Sequence, residues 1–512
     1  MKRRTCDRII IFILKLLFLK TTHMRTYLNF FCIFFTSIGL YLNAQTSTFS
    51  PETEERIRLV ENSLSSWVLT GNGDTWSLVE RMRNYNINGL SIAVINNYQI
   101  EWAKGYGFAD VLEQRPVTEN TLFQAASISK SLNGVGILKL VQDKKLDLNT
   151  DINNYLVSWK FPYDTVCKGK VITLTNLLSH TAGLSVSGFP GYEKEDRIPT
   201  IPQILDGAEP ANTSAVRSLK EPGREVIYSG GGITISQLIL SDVIKQPYEE
   251  FMQKNVLDPL GMTSSSFTQP PPASKEKILA TGYLTDGKEI NGKYHIYPEQ
   301  AAAGLWTTPS DLCRYIIETQ LAFNGKSSKV LTPEMTKVRL TPIIEDAALG
   351  TWVNSRVTGS YKYFNHNGGN AGFCCTAIGC ENSGDGVVIM TNTNSDNNGI
   401  LEEIANSVAI VYHWKDYYIP DRKEVIHVSP DILARYAGTY DLSGRTIRFK
   451  TSPEGLLVNI FGDIYFNVLF ASENEFFIRE YRGYLKFLTD NENNVTGFIF
   501  NGMTAKKNVT SE

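Results

Sequence analysis

Apolar residues follow two patterns along the chain. From Ile57 to about His413, stretches with helical spacing alternate with short strand-like runs. Leu90-Ser-Ile-Ala-Val-Ile95, the turn pair Asn96-Asn97 and then Gln99-Ile-Glu-Trp102 predict a hairpin. Leu122, Ala126, Ile128, Leu132, Val135, Leu138 and Val141 recur near the helical period and predict a helix over Thr121–Val141. Gly134 and Gly136 count against it. Gly386-Val-Val-Ile-Met390 predicts a buried strand. After the polar link Pro420–Glu424 the pattern changes to short alternating runs. These are Thr446–Phe449, Leu456–Ile460, Tyr465–Phe470, Glu475–Arg479, Tyr484–Leu488 and Thr496–Phe500. Turn signals such as Ser452-Pro-Glu-Gly455 separate them, which predicts a small antiparallel barrel.

The first residues differ from both regions. Basic residues precede the apolar runs Ile9–Leu19 and Leu28–Leu42, and Leu42-Asn43-Ala44 ends the second. A charged head, an apolar middle and a small residue before the cut describe a secretory leader, residues 1–44, with Met24 as an alternative start. Two tandem runs also fit a membrane anchor. The expected location is periplasmic or secreted, with envelope association.

Fifty basic and 53 acidic residues among 512 give a net charge of −3, with no field to attract nucleic acid. Five of the seven cysteines lie beyond the leader, Cys167, Cys313, Cys374, Cys375 and Cys380; an odd number leaves at least one unpaired within the chain. No metal-ligand spacing occurs, so no zinc site or other metal is expected.

Several catalytic motifs are absent, among them G-x-S-x-G and H-E-x-x-H. Gly287–Lys293 has P-loop spacing, but Tyr294 stands where a magnesium-binding hydroxyl is needed, so it reads as a hydrophilic hairpin. Ser-x-x-Lys occurs twice, at Ser127/Lys130 and Ser274/Lys277. Ser274 follows a run of prolines, where nothing fixes serine against lysine. Ser127 sits early in an apolar-patterned helix, where residues three apart share a face. A lysine held there can take the serine proton or steer it with its charge. On its own the motif fits a helix-start serine beside a solvated lysine better than a catalytic pair.

Two later segments change the balance. Tyr228 follows the strand-like run Glu225-Val-Ile and precedes glycine-rich Gly230–Gly232. His366-Asn367-Gly368-Gly369 leads into a second strand-like run, Phe373–Ile378. Singly, these are an ordinary tyrosine and a loop histidine.

Taken in order, Ser127/Lys130, Tyr228 and His366/Gly368 resemble the S-x-x-K, Y-x-N and K-T-G or H-x-G motifs of the serine β-lactamase and penicillin-binding-protein superfamily. The similarity is to its class C-type and D-stereospecific peptidase or esterase relatives. Gly89–Val94, Ala103–Gly107, Leu177-Leu-Ser-His-Thr-Ala-Gly-Leu184 and Ala303–Asp311 match as well, so the resemblance spans roughly Thr53–Tyr412. Tyr436-Ala-Gly-Thr-Tyr440 resembles the start of a lipocalin-like barrel appended to many of these proteins.

The resemblance implies an α+β, β-lactamase/transpeptidase-like fold: an antiparallel sheet flanked by helices plus a helical subdomain, followed by the small β-barrel. It places a hydrolase domain at 53–415 and the barrel at 428–512. It implies an acyl-enzyme on Ser127, proton handling by Lys130 and Tyr228, and substrate contacts from His366, Gly368 and Asn370. Ser127 N–H and an N–H from Asn370–Gly372 would bind the oxyanion. The substrate is a small molecule or peptide, and no cofactor is required.

Two departures matter. Gly230 stands where the family has asparagine, and His366 where true β-lactamases have lysine, so a fixed charge for a substrate carboxylate is lost or becomes pH-dependent. Ser395-Asp396-Asn397 copies a class A motif out of order and is given no catalytic role. These departures favour a D-amino-acid peptidase or esterase. A true β-lactamase and a non-catalytic penicillin-binding sensor remain the alternatives.

Overall fold

The computed structural model describes residues 49–71, 75–354, 359–394, 399–460 and 464–508. The expected leader and Ser395–Asn397 lie outside them. The chain divides into two compact units, Met1–Glu55 and Arg56–Glu512. In the first, Thr53 N–H donates to Ser50 Oγ at 3.1 Å.

The second unit is built on a seven-stranded antiparallel sheet. Its strands are β1 Gly89–Asn96, β2 Gln99–Asp110, β3 Arg115–Pro116, β4 Trp352–Asn354, β5 Tyr363–Asn370, β6 Phe373–Cys380 and β7 Gly386–Thr391. Across the sheet they run β3-β2-β1-β7-β6-β5-β4. The predicted hairpin is β1–β2, joined through Asn97 and Tyr98, both at positive φ. Leu90 to Ile95 is buried throughout, because alternate side chains enter cores on opposite faces. Ala93, Ile95, Val388 and Met390 join the core that includes Leu312, Tyr315 and Ile316 of helix Pro309–Phe323.

Thr121–Val141 divides into two elements. Phe123–Gln124 is a short strand paired with Trp306–Thr307, and the helix runs Ser129–Gln142 (α1) after a 3₁₀ turn at Ala126–Ile128. Apolar side chains are needed in both, so their spacing could not mark the break. Gly134 and Gly136 serve close packing: a Cβ would lie 2.9 Å from Leu349 O or 2.6 Å from Met252 Sδ. Glu225–Tyr228, read as strand-like, forms no ladder. Gly287–Lys293 is a turn segment, with Leu284 N–H donating to Lys288 O. All five cysteines beyond the leader are buried, and Cys167, Cys313, Cys375 and Cys380 are free thiols.

The C-terminal region is a closed eight-stranded barrel from Gly438–Leu442 to Met503–Lys507. The six predicted strands are present, and these two flank them. Aromatic rings fill its interior. Phe487 lies 4.3 Å from Phe476, 5.1 Å from Phe449 and 3.9 Å from Tyr436 between centroids. A small barrel so filled is a packed core. The polar link pairs Asp421–Lys423 in parallel with Val68–Thr70.

Buried Arg81 joins the barrel to the sheet region. Its guanidinium donates to both oxygens of Glu403, at 2.5 and 2.7 Å, and to Glu480 of the barrel at 3.1 Å. Tyr85 Oη donates to the same Glu403 at 2.7 Å. Removing one partner leaves a buried charge uncompensated, so Arg81→Met is expected to cost about 3–5 kcal/mol. Denaturant unfolding checks this, with Arg81→Met/Glu403→Leu recovering much of the loss. Unchanged unfolding in the single variant would remove the pair from the stabilising set.

Candidate active site

Ser127 is positioned by strain. Gln124 ends the short strand, Ala125 N–H donates to Leu305 O at 2.8 Å, and Ala126 takes φ +47°. A non-glycine residue in this left-handed region costs about 1–3 kcal/mol and marks an over-determined turn. The turn presents Ser127, part-exposed, just before α1. One helical turn on, Lys130 is 2 % exposed. Its Nζ donates to Ser127 Oγ at 2.9 Å and to Ala302 O at 2.7 Å. Ser274, by contrast, is exposed on the 3₁₀ helix Ala273–Ile278.

Tyr228 stands over the lysine, its ring centroid 5.1 Å from Lys130 Nζ. It precedes the N-cap Ser229 of helix Gly230–Ile244 (α2), and Ser229 Oγ accepts from Gly232 N–H at 2.9 Å. At Gly230, a Cβ would lie 3.0 Å from Phe189 Cε2 and 3.1 Å from Ser187 O. The space of the family's asparagine is taken up by Phe189.

Strand β5 closes the other side. Gly368 allows this approach, since a Cβ there would meet Ala125 O at 2.4 Å and Cys375 Sγ at 2.5 Å. The two-residue turn Ala371–Gly372 makes Asn370↔Phe373 the closing pair of the β5–β6 hairpin. Hydrogen-bonded and open pairs alternate from there, so Asn367 and Gly369 direct their N–H and C=O away from β6. Thr351 Oγ1 donates at 3.0 Å to the carbonyl of Asn365, which obeys the same alternation. Asn370 is tied down: its Nδ2 donates to Gln124 Oε1 at 2.7 Å and Ala303 O at 3.1 Å. Ala371 N–H is engaged by Tyr297 Oη at 3.1 Å.

His366 is buried, and Nδ1 lies 2.6 Å from Asn367 O. A carbonyl only accepts, so Nδ1 carries the proton and Nε2 is a bare lone pair. Nε2 has no partner among the described residues. Burial first, then nearby Lys130, lowers the imidazole to about 3. Of the two outcomes expected from His366, a lost charge or a pH-dependent one, the site favours the first, since desolvation and a neighbouring cation both oppose protonation. The sign for stability follows. The unfolded chain takes up this proton below its ordinary value of 6.5 and the folded chain only near 3, so stability falls on acidification through that window.

Three neighbours of the site were not singled out from the sequence. His180 and Trp352 form an aromatic wall with Tyr228, at 4.4 Å (His180–Tyr228) and 6.4 Å (Tyr228–Trp352) between centroids. Glu299 is fully buried next to the helix Gln300–Ala303 that supplies the Lys130 acceptor, and neither carboxyl oxygen has a partner among the described residues. Burial pushes it up to about 8, so it is a neutral acid at pH 7. His180 lies inside the family-like segment Leu177–Leu184, which was the one available clue. Among the described residues, no group of three His, Cys, Asp or Glu side chains could hold a metal ion.

A serine, a lysine one turn on, a tyrosine over the lysine and a free strand edge make up this site. The family profile "Beta-lactamase" matches residues 77–408. The chain belongs to the beta-lactamase family. It is 30% identical over 228 residues to Protein flp of Staphylococcus aureus (strain N315), covering 44% of this chain and 42% of that protein. The chain thus spans less than half the length of this relative. Penicillin-binding protein 4* of Bacillus subtilis (strain 168) is 24% identical over 77% of this chain and 88% of its own.

Solved structures of the same fold include the octameric penicillin-binding protein homologue from Pyrococcus abyssi. It has a TM-score of 0.59 and 21% identity, over 84% of this chain and 98% of that one. SurE with D-Leu has a TM-score of 0.51 and 18% identity, over 89% and 99%. This β-lactamase-family chain thus has the fold expected from its motifs, followed by the closed barrel.

Proposed function

We propose that this chain is a serine hydrolase that acts by acyl transfer on esters or on amide bonds of D-amino-acid type. The observation that carries the reading is Lys130 Nζ at 2.9 Å from Ser127 Oγ, at the site formed with Tyr228 and the free edge of β5. With Lys130 as the neutral amine, Ser127 Oγ bonds to the carbonyl carbon as its proton passes to Nζ. The bond to the leaving amine or alcohol then breaks, Tyr228 relays the proton to it, and the acyl group remains as an ester on Ser127. N–H groups of Ser127 and Gly369 receive the oxyanion, since Ala371 N–H is already bonded to Tyr297. Water then cleaves the ester and restores Ser127. Gly368 lets the substrate-facing edge lie against Ser127, and Asn370 holds it to Gln124 and Ala303.

His366 sets the substrate preference. A buried, neutral imidazole whose Nδ1–H is already used gives a substrate carboxylate no positive charge, so the site favours substrates without one. SurE, whose structure holds D-Leu, supports a D-amino-acid substrate class.

A panel of p-nitrophenyl esters, D-amino-acid amides and nitrocefin tests the preference. Nitrocefin turnover should be far slower than ester hydrolysis. Because His366 titrates near 3, the carboxylate-bearing substrate should gain nothing between pH 8 and pH 5 relative to the neutral ester. His366→Lys should raise β-lactam acylation about tenfold relative to the ester, the size of one charge-assisted bond. Rapid nitrocefin hydrolysis by the unmodified protein would overturn the preference. Adding Gly230→Asn would confuse the comparison, since it must displace Phe189.

Residues 53–415 are read as the hydrolase domain and 428–512 as the barrel. Residues 1–44 are read as an export leader. No helix among the described residues is long and apolar enough to cross a membrane. Intact mass of the envelope-fraction protein should begin at Gln45; a cytosolic chain retaining residues 24–44 would contradict export.

A further inference from the structure

We infer that His180 is the positioning residue for Tyr228, holding the phenol over Lys130 by bonding the backbone on both sides of it. The inference rests on the reading of Tyr228 as a proton carrier. Ile227 N–H donates to the carbonyl of His180 at 2.8 Å, and Ser229 N–H donates to its Nδ1 at 3.2 Å. Tyr228 sits between these two bonds, and its ring lies 4.4 Å from the imidazole. Trp352 lies 6.0 Å from the same imidazole and nearly parallel to it, and 6.4 Å from the Tyr228 ring. No strand ladder fixes residues 225–229, so one residue's carbonyl and side chain do what a paired strand would otherwise do.

The turn carrying His180 is itself secured. Ser179 Oγ donates to Thr175 O at 2.7 Å, and Asn176 Nδ2 donates to Thr181 Oγ1 at 3.2 Å. His180 takes φ +58°, a conformation that glycine and asparagine accept more readily than other residues. Because Nδ1 accepts, the ring proton resides on Nε2. Burial keeps this imidazole well below its ordinary value, with Lys130 and His366 adding to the effect, so Nδ1 stays an acceptor.

Two substitutions suit this backbone and differ in the acceptor. His180→Gly relieves φ and removes it; His180→Asn places Oδ1 where Nδ1 was. Stopped-flow acylation by a p-nitrophenyl ester, with kcat and KM, compares both to the unmodified full chain at matched melting temperature. His180→Gly should slow acylation about 10- to 100-fold, the loss expected when a reacting group drifts by about an ångström, with KM within about twofold. His180→Asn should recover most of the rate.

Labelling by a fluorophosphonate separates this proposal from the reading beneath it. An unmodified chain that is not labelled at Ser127 would overturn both. Labelling at Ser127 with His180→Gly acylating at the unmodified rate would overturn positioning alone. So would His180→Asn losing as much as His180→Gly, because a general packing defect would not distinguish them.

Discussion

Replacing Ser127 with alanine is expected to abolish fluorophosphonate labelling and to lower hydrolysis by at least about a thousandfold. The nearby hydroxyls are committed elsewhere. Ser129 is buried and its Oγ accepts from Leu305 N–H at 3.0 Å. Ser131 is buried and donates to Gly350 O at 2.7 Å. Ser127 alone of the three is part-exposed and has an amine within hydrogen-bond reach. The strained Ala126 turn exists to present it, and the alanine variant keeps that turn. Stability should therefore hardly change while the covalent route disappears. Mass spectrometry of the labelled chain should place the adduct on the peptide containing Ser127. A tag on Ser274, or labelling that persists in Ser127→Ala, would end the assignment.

What was legible in the sequence follows from what each element buries. The inner strands of the barrel alternate apolar and polar residues along their length, so their positions could be read directly. Met503–Lys507 buries only Ala505 and carries exposed Met503 and Thr504, so no alternation marked it. Phe123 and Gln124 are buried in an edge pair, yet their spacing continued the pattern of α1. The nucleophile, its lysine and the tyrosine were legible because their chemistry demands a residue type at a set spacing. The acceptor state of His366 was not, since it depends on burial, on Lys130 and on the Asn367 carbonyl. Nor was the placing of Tyr228, because His180 lies 48 positions earlier and contacts it only through the fold. The packing of Phe189 against Gly230 is likewise tertiary.

Lys130→Arg is expected to be nearly as damaging as Lys130→Ala, each lowering kcat by about 10²–10⁴. The amine is almost fully buried, with Ser127 Oγ and Ala302 O both within 2.9 Å, and that pocket fits one compact donor. A planar guanidinium cannot give up its proton and cannot match both partners at those distances. Tyr228→Phe keeps the ring against His180 and Trp352 and loses only the hydroxyl. Its effect should therefore fall on the acylation rate, about 10²-fold, with KM little changed. Single-turnover kinetics with an activated ester separate the two, because the leaving phenol then needs little help with its proton. With that ester Tyr228→Phe should improve relative to a D-amino-acid amide, whereas Lys130→Arg should remain impaired on both. Wild-type kcat in both variants would make the constellation coincidental. An active Lys130→Arg beside an inactive Lys130→Ala would mean that the cation alone is needed, and the serine proton would then have to leave through Tyr228.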